Sequence, residues 1–246
     1  KCIEDNPIYS CILSPQGKFL ADFFIINLGD SYLIEINEIF IENFIAKLNI
    51  YKLRSKINIS IEKNYTSIVI LNTDLKLKID INYIKFTDPR CSNLGQKIII
   101  NSNLINIFVT NNSLIKVDNK SYRELMIKNL VPDSSKDLEI NKSLLLENNF
   151  DVINAIDWEK GCYVGQEITA RMKYRALLKK SIRAVEIVSG STMPGNKIFY
   201  NNNIIGEIIS CLNNLGIAML KIEDANDAFN NKNVLKTDSA SLKIIH

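Results

Sequence analysis

The sequence predicts an α+β fold that ends in a small β-barrel-like domain. The chain has 246 residues, which is enough to bury a substantial core in one large or two modest domains. Up to about residue 176, strand-like alternation and helical periodicity are mixed, whereas beyond it short strand patterns alternate with turns. We therefore predict an α+β domain over residues 1–176 and a C-terminal β domain over residues 177–246.

The α+β domain opens with a predicted β-hairpin. Apolar runs at residues 11–13 and 19–26 flank the turn sequence Ser14-Pro15-Gln16-Gly17. A third strand is expected over residues 31–36, and Asn37 is a suitable N-cap for the helix that follows. Five apolar side chains after this cap recur at helical spacing: Phe40, Ile41, Phe44, Ile45 and Leu48.

The later elements follow from the same two periodicities. In the α+β domain, strands are predicted over residues 56–62, 66–71, 75–81, 83–86 and 105–110. Ser121 to Glu124 fits a capping box, and Pro132 ends the helix that this box begins. Another helix is predicted over residues 164–174. In the C-terminal domain, strands are predicted over residues 180–188, 197–200, 204–212 and 216–222.

The composition excludes several classes of protein. A hydrophobic content of 46% and a net charge of +3 rule out global disorder and give no charge-based reason to expect a nucleic-acid protein. No apolar run approaches the roughly 18–20 residues that span a bilayer, so no membrane association is expected. We see no secretory signal and expect a cytoplasmic protein. Five scattered cysteines without a CxxC motif predict reduced thiols, not a disulfide framework or a zinc site.

The segment from Trp158 to Arg171 carries the strongest chemical signal. Two glycines flank a Cys-Tyr pair at the entrance to the predicted helix, and glycine permits a positive φ or a close approach of the backbone. The helix start and the neighbouring ammonium of Lys160 favour the thiolate of Cys162, the form that attacks electrophiles or binds iron. The alternative is that Cys162 is a small buried apolar side chain.

The motif Lys160-Gly161-Cys162-Tyr163-Val164-Gly165-Gln166-Glu167 resembles the KGCYxGQE signature of the YgfZ family. That family comprises bacterial folate-binding, tRNA-modifying proteins and related mitochondrial iron–sulfur assembly factors. Three further segments match the family in the same order, so the resemblance covers nearly the whole chain. These segments are Leu13 to Asp22 (LxPxGKxLxD), Tyr51 to Lys56 (YKLRSKV) and Asp88 to Gly95 (DPRxxxLG). Family members carry a further helix and turn before the hairpin, and the resemblance implies that this chain lacks them.

The resemblance implies the fold of the glycine cleavage T-protein, a tetrahydrofolate-dependent aminomethyltransferase. In that fold, ferredoxin-like subdomains and a small C-terminal β-barrel surround a folate-sized hole. Asp22 matches the aspartate that acts near folate N5 and is expected to hold or polarise a reduced pterin. The alternative is that Asp22 merely ends a strand. Lys160 stands about where the T-protein has a folate-binding glutamate, which argues against ordinary aminomethyl transfer.

Three residues of the predicted helix are implied as further cofactor contacts. Gln166 and Arg171, with Glu167 beside them, are expected to contact a folate glutamate tail or to orient the loop that carries Cys162. The alternative for Glu167 and Arg171 is a solvent-exposed pair four residues apart, which stabilises a helix by about 0.2–0.5 kcal/mol and has no further role.

The resemblance implies a folate-binding accessory factor for iron–sulfur cluster assembly or repair, which thereby supports enzymes that thiolate tRNA. The expected cofactor is tetrahydrofolate or a derivative. Cys162 is expected to supply a functional thiolate, either as one ligand of a transient cluster or as a redox handle. Such a cluster would be bridged to a partner, because it takes about four protein ligands. The expected partners are iron–sulfur assembly proteins or cluster-dependent enzymes. Direct tRNA binding is not expected, since no RNP-like motif is present.

The competing interpretation is a tetrahydrofolate-dependent one-carbon (aminomethyl) transferase. In that enzyme Asp22 is an acid/base group and Cys162 is incidental. The sequence leaves open whether the chain catalyses any reaction.

Overall fold

The structure is a computed structural model that describes residues 6–71, 75, 77–78, 81–175 and 177–246. The contacts between residues divide the chain into two compact units. The first unit comprises residues 1–10 and 21–118, and the second comprises residues 11–20 and 119–246. The tip of the N-terminal hairpin therefore belongs with the C-terminal half of the chain.

The described residues before position 119 form two three-stranded sheets and two α-helices. In chain order the elements are β1 (Ile8–Leu13), β2 (Phe19–Asn27), β3 (Tyr32–Ile36), α1 (Ile41–Tyr51), β4 (Tyr65–Ile70), β5 (Tyr83–Thr87), β6 (Gln96–Asn101) and α2 (Ile105–Asn111). The sheet orders are β1-β2-β3 and β4-β6-β5. Both helices bury one aromatic side chain: Phe44 of α1 packs 4.7 Å from the Phe23 ring, and Phe108 of α2 meets Tyr83 edge-on at 5.1 Å.

The second unit is built around a closed barrel. Its elements are α3 (Asn119–Lys128), α4 (Ser134–Asp137), α5 (Gln166–Tyr174), β7 (Lys180–Gly190), β8 (Lys197–Tyr200), β9 (Asn203–Leu212), β10 (Leu215–Lys221), α6 (Ile222–Asn230), β11 (Leu235–Lys236) and β12 (Ala240–Ile244). The strands close in the order β10-β7-β12-β11-β8-β9, which leaves no sheet edge unpaired. The core includes Ile198 and Leu242, while Ile127 of α3 packs in a second apolar cluster with Ile182 and Ile217.

The hairpin tip is held in the second unit by both backbone and side chain. The amide of Phe19 donates to the carbonyl of Ser143 at 2.9 Å, and Lys18 forms an isolated antiparallel bridge with Leu144. The ring of Phe19 meets that of Phe150 edge-on at 5.7 Å, and both side chains are fully buried. The turn that connects β1 and β2 is therefore fixed against residues 143–150 of the second unit.

The predicted α+β class with a small C-terminal β-barrel is confirmed. The domain boundary between residues 176 and 177 stays a prediction, and Ala176 lies outside the described residues. Of the predicted strand over residues 75–81, residues 76, 79 and 80 lie outside the described residues. None of the described helices is both long and apolar enough to span a bilayer.

Three predicted elements differ from the structure. Residues 56–62 form no regular structure, because Ile57 and Ile61 are exposed and their alternation does not mark a buried face. Residues 105–110, predicted as a strand, form helix α2 after a short 3-10 turn that Asn101 caps. Helix α3 begins at Asn119, so Ser121 lies inside its first turn and is not the N-cap. Strands β6, β11 and β12 and helices α4 and α6 were not predicted.

Candidate functional site

The Cys162 motif meets the hairpin tip at the start of helix α5. Gly165 precedes the helix with a φ of 83°, and a Cβ on it would lie 2.6 Å from the carbonyl oxygen of Ser14. Gly17 has a φ of 71°, and a Cβ on it would lie 2.8 Å from the Cβ of Ile168. Both glycines are therefore required, since any side chain would be strained and would force the hairpin away from α5.

The first turn of α5 closes on the residue next to Cys162. The backbone amide of Tyr163 donates to the Gln166 side-chain oxygen at 3.1 Å, and the amide of Gln166 donates to the Tyr163 carbonyl at 3.2 Å. These reciprocal bonds resemble a capping box and satisfy groups that a helix start leaves unpaired. Burial raises the pKa of the Tyr163 hydroxyl, and the Cys11 thiol adds to this shift, although a hydrogen bond with Thr169 lowers it in part.

The last turn of α5 holds the other end of the same segment. The ammonium of Lys173 lies 4.1 Å from the centroid of the Trp158 ring, and Tyr174 meets that ring edge-on at 6.2 Å. Trp158 is thus bracketed by the C-terminal turn of α5, and Tyr163 is bonded to its N-terminal turn. We call the four residues between these contacts, residues 159–162, the cysteine strap. It runs beside α5 and is fixed at both ends.

Cys162 is exposed on this strap, so the alternative of a buried apolar cysteine does not describe it. The other cysteines in the described residues, Cys11, Cys91 and Cys211, are partly buried. Burial raises the pKa of the Cys211 thiol. The ammonium of Lys160 lies 4.7 Å from the centroid of the Tyr163 ring, which places a positive charge beside the cysteine's neighbour. Within the described residues, no group of three or more His, Cys, Asp and Glu side chains could hold a metal ion.

The remaining predicted residues of this region lie on α5. Glu167 and Arg171 form an ion pair at 3.5 Å, and their side chains are 82% and 46% exposed. Gln166 is engaged with Tyr163, as described above. The structure thus brings Lys160, Cys162, Gln166, Glu167 and Arg171 together around one helix and its strap. Their roles toward folate stay predictions.

Asp22 belongs to the first unit, where it lies in the interior of strand β2 and does not end it. Its carboxylate is buried, with 9% of the residue exposed, and accepts a hydrogen bond of 2.6 Å from the Tyr9 hydroxyl. The guanidinium of Arg90 lies 5.4 Å from the Tyr9 ring centroid and is held by Asp88 through a pair of hydrogen bonds at 3.0 and 2.7 Å. Asp22 is therefore part of a fixed polar cluster.

A second buried ion pair adjoins the same aromatic side chains. The Arg90 guanidinium also lies 5.0 Å from the ring of Phe24, and the Lys97 ammonium lies 4.1 Å from that ring. Lys97 donates to both carboxylate oxygens of Glu35 at 2.8 Å. Sequence reasoning missed Tyr9, Lys97 and Glu35, although the DPR segment contained Arg90. The pairing of β1 with β2 in the predicted hairpin could have indicated that Tyr9 lies near Asp22.

Comparison with known proteins shows which proteins this chain is similar to. No protein-family profile matches the chain. The mitochondrial iron–sulfur cluster assembly factor IBA57 homologue of Mycosarcoma maydis is 29% identical over 196 residues, which cover 77% of this chain and 48% of that protein. The IBA57 homologue of Dictyostelium discoideum is 30% identical over 166 residues, 62% of this chain and 40% of that protein. These matches confirm the predicted resemblance to the YgfZ family and its mitochondrial iron–sulfur assembly factors.

The chain has the T-protein fold. Its similarity to the glycine cleavage system aminomethyltransferase T of Bartonella henselae has a TM-score of 0.74 and covers 100% of this chain and 76% of that one. The identity is 11%, so the likeness concerns the fold alone. The chain spans about half of the first curated relative and less of the second.

The expected cytoplasmic location is wrong, since the named relatives are mitochondrial proteins. That expectation depended on the lack of a secretory signal and on unpaired cysteines. Neither property separates one reducing compartment from another.

Proposed function

We propose that this chain is a folate-binding accessory factor in iron–sulfur cluster assembly, with Cys162 as its functional thiolate. The observation that carries the proposal is the exposure of Cys162 on a strap that α5 fixes at both ends. A fixed, accessible sulfur is suited to ligate a metal centre without a large loss of conformational entropy. The names of the relatives, iron–sulfur cluster assembly factors, support the same role.

Cys162 supplies one ligand, and the remaining ligands of a cluster come from a partner. An iron–sulfur cluster is held by about four protein ligands. The described residues contain no group of His, Cys, Asp and Glu side chains that would complete such a set around one centre. The cluster is therefore a shared cargo, bridged between this chain and an assembly protein or a cluster-dependent enzyme. Enzymes that thiolate tRNA are among the cluster-dependent enzymes that this chain would support.

The folate part of the proposal depends on Asp22. Its carboxylate is buried and oriented by Tyr9, and such an acceptor suits the amine and amide edge of a reduced pterin. Lys160, Gln166, Glu167 and Arg171 are further candidate folate contacts. Of these, Gln166 also orients the loop through Tyr163.

A second candidate function is one-carbon (aminomethyl) transfer with tetrahydrofolate. It is favoured by the T-protein fold and by the buried Asp22 carboxylate, which would be positioned as an acid/base group. It assigns no role to the exposed sulfur of Cys162. The exposed cation Lys160, where the T-protein has a folate-binding glutamate, argues against it.

The deciding experiment compares Cys162→Ser with Asp22→Asn, using Cys211→Ser as the matched control for loss of a thiol. Purified proteins are titrated with a [2Fe–2S] cluster ligated by glutathione, and capture is followed by visible circular dichroism. Tetrahydrofolate binding is measured by calorimetry. We expect Cys162→Ser to abolish capture, Cys211→Ser to retain it and Asp22→Asn to lose folate binding alone. Turnover of a methylamine donor by Cys162→Ser would instead establish the transferase.

A further inference from the structure

Leu53 follows the last turn of helix α1 in a backbone conformation that leucine rarely adopts. Its φ is 48°, in the left-handed region where glycine or asparagine usually ends a helix. A leucine in this region destabilises the folded chain, because its Cβ crowds the carbonyl that follows. The residue is 84% exposed, so packing does not offset that cost. The fold by itself therefore does not account for a leucine at this position.

The turn that carries Leu53 is held by hydrogen bonds on both sides. The amide of Lys52 donates to the carbonyl of Leu48, and the amide of Ser55 donates to the carbonyl of Lys52, both at 2.8 Å. The ammonium of Lys52 donates to the carbonyl of Ile57 at 3.4 Å. Because the turn is already ordered, binding through Leu53 would cost little conformational entropy.

Other apolar side chains are exposed on the same stretch of chain. Ile50 and Tyr51 end helix α1, Ile57 follows the turn, and all three are exposed. We call residues 50–57 the basic turn, for the charges described next. Single exposed apolar residues are ordinary, but four within eight positions are typical of an interaction site. Neither the cysteine nor the folate part of the proposed function uses this segment.

The basic turn carries positive charge without any nearby negative charge in the sequence. Residues 43–61 contain no carboxylate but four cations: Lys47, Lys52, Arg54 and Lys56. Arg54 and Lys56 are exposed, and no carboxylate of the described residues forms an ion pair with either. Their charges are therefore available to an anionic surface.

This combination of side chains fits a lipid bilayer surface better than it fits nucleic acid. At a bilayer surface, aliphatic side chains enter the interface, tyrosine lies at the level of the headgroups, and lysine and arginine attract anionic lipids. Single-stranded RNA is instead bound by aromatic side chains on which its bases stack. The basic turn has one aromatic residue, Tyr51, and three aliphatic ones.

We propose that the basic turn is a docking site for the surface of a bilayer that contains anionic lipids. Leu53 and Ile57 enter the interface, and Arg54 and Lys56 contact the lipid phosphates. The sequence gave no reason to expect membrane association because it lacks a spanning segment, and a surface contact needs none. This inference is independent of Cys162 and of folate, so it goes beyond the proposed function.

The probe is a vesicle of phosphatidylcholine with about one third phosphatidylglycerol, and vesicles of phosphatidylcholine alone are the neutral comparison. Binding is measured by co-sedimentation at several salt concentrations, and the melting temperature of each variant is measured without vesicles. We expect the wild-type chain to bind the anionic vesicles and not the neutral ones. Added salt should weaken this binding, because it screens the attraction between exposed charges.

The apolar contact is tested by Leu53→Asn, with Ile115→Asn as the matched control. Ile115 is 87% exposed but lies in a segment, residues 112–118, with one cation and one carboxylate. Leu53→Asn should weaken vesicle binding at least tenfold, because the most exposed apolar side chain of the turn is lost. It should melt at the wild-type temperature or above, because asparagine tolerates the left-handed region. Ile115→Asn should bind vesicles as the wild-type chain does.

The charges are tested by Arg54→Gln/Lys56→Gln, with Lys232→Gln/Lys243→Gln as the matched control. The control neutralises two exposed lysines of the second unit. Arg54→Gln/Lys56→Gln should weaken binding to the anionic vesicles by about thirtyfold and reduce its dependence on salt. Lys232→Gln/Lys243→Gln should change neither quantity.

Several results would overturn the proposal, and none of them bears on the role proposed for Cys162. If the wild-type chain does not bind the anionic vesicles, or if Leu53→Asn binds them equally well, the basic turn is not a membrane site. If Leu53→Asn melts well below the wild-type temperature, a role within the fold explains the leucine. Without vesicle binding, loss of RNA oligonucleotide binding in Arg54→Gln/Lys56→Gln would assign the surface to nucleic acid. A wild-type dimer that Leu53→Asn dissociates would assign it to a second copy of the chain.

Discussion

Replacing Asp137 by alanine should destabilise the second unit more than any surface substitution. The Asp137 side chain is 0% exposed and pairs with Arg123, which is 10% exposed, at 2.6 Å. The same carboxylate accepts hydrogen bonds from the Ser210 hydroxyl at 2.6 Å and from the Asp133 amide at 2.7 Å. These contacts join helices α3 and α4 to barrel strand β9. The other terminal nitrogen of Arg123, Nη1, is buried and has no hydrogen-bond partner in the described residues.

The magnitude follows from the charge that the substitution leaves behind. Alanine at position 137 removes the counter-charge of a buried guanidinium, and breaking one side of such a pair costs about 3–5 kcal/mol. The lost bonds to Ser210 and Asp133 belong to the same network, so their costs are contained in that figure and are not added to it. A loss of this size is a large fraction of the 5–15 kcal/mol by which domains are typically stable.

Urea unfolding followed by tryptophan fluorescence measures this effect, because Trp158 is the only tryptophan and lies in the second unit. With a slope of about 2 kcal/mol per molar urea, a loss of about 4 kcal/mol lowers the midpoint by about 2 M. The double variant Asp137→Leu/Arg123→Met removes both charges and should recover most of the stability. A loss below about 1 kcal/mol in Asp137→Ala, or a double variant as unstable as the single one, would refute the reasoning.

Three further predictions concern backbone strain, the Asp22 cluster and acid stability. In the same urea assay, Gly165→Ala should lower the free energy of unfolding by about 2–4 kcal/mol, because alanine there would have both a positive φ and a steric clash. Gly161→Ala should leave the free energy of unfolding unchanged. Equal urea midpoints for the two variants would contradict this prediction. Tyr9→Phe should lower the free energy of unfolding by about 1–3 kcal/mol in calorimetry, because the Asp22 carboxylate loses the hydrogen bond from the Tyr9 hydroxyl. The same variant should bind tetrahydrofolate more weakly. Unchanged binding would show that Tyr9 is not part of the site. Burial raises the pKa of Asp133, but hydrogen bonds from Ser135 and Lys136 outweigh it and lower the pKa below 3.8. The ionised Asp133 carboxylate therefore stabilises the fold above about pH 4, and this stabilisation is lost as the pH falls through the pKa of Asp133 in the folded protein. In that acidic range, Asp133→Asn should lose less stability than the wild-type chain.

Much of the fold was predictable because the apolar residues of most segments recur at a single spacing, either that of a strand or that of a helix. Strands β2, β4 and β9 and helix α1 have a buried face that the sequence shows directly. The pattern predicted the wrong structure where β-branched residues are abundant but do not mark the buried face of a strand. Ile57 and Ile61 alternate but are exposed, and helix α2 is rich in isoleucine and valine but buries Phe108 as its one fully enclosed side chain.

The candidate site was predictable only in part, because its contacts join distant positions. The motif around Cys162 was recognisable as a run of residues, and the start of α5 was predicted within two positions. The link between Gly17 and Gly165 was not, since neither glycine shows from sequence which backbone it approaches. The same limit applies to the Lys97–Glu35 pair, whose members are 62 positions apart.

The contact between Gly17 and Gly165 also sets an order of events during synthesis. The two residues are separated by about 150 positions, and everything between residues 21 and 118 belongs to the other unit. Closing so long a loop is slow relative to local folding, and the ribosome exposes the hairpin tip long before its binding partner exists. Until residues 143–168 have been synthesised, the side chain of Phe19 in the nascent tip is exposed to solvent. A chaperone that binds short apolar segments is therefore expected to prevent aggregation mainly during that interval.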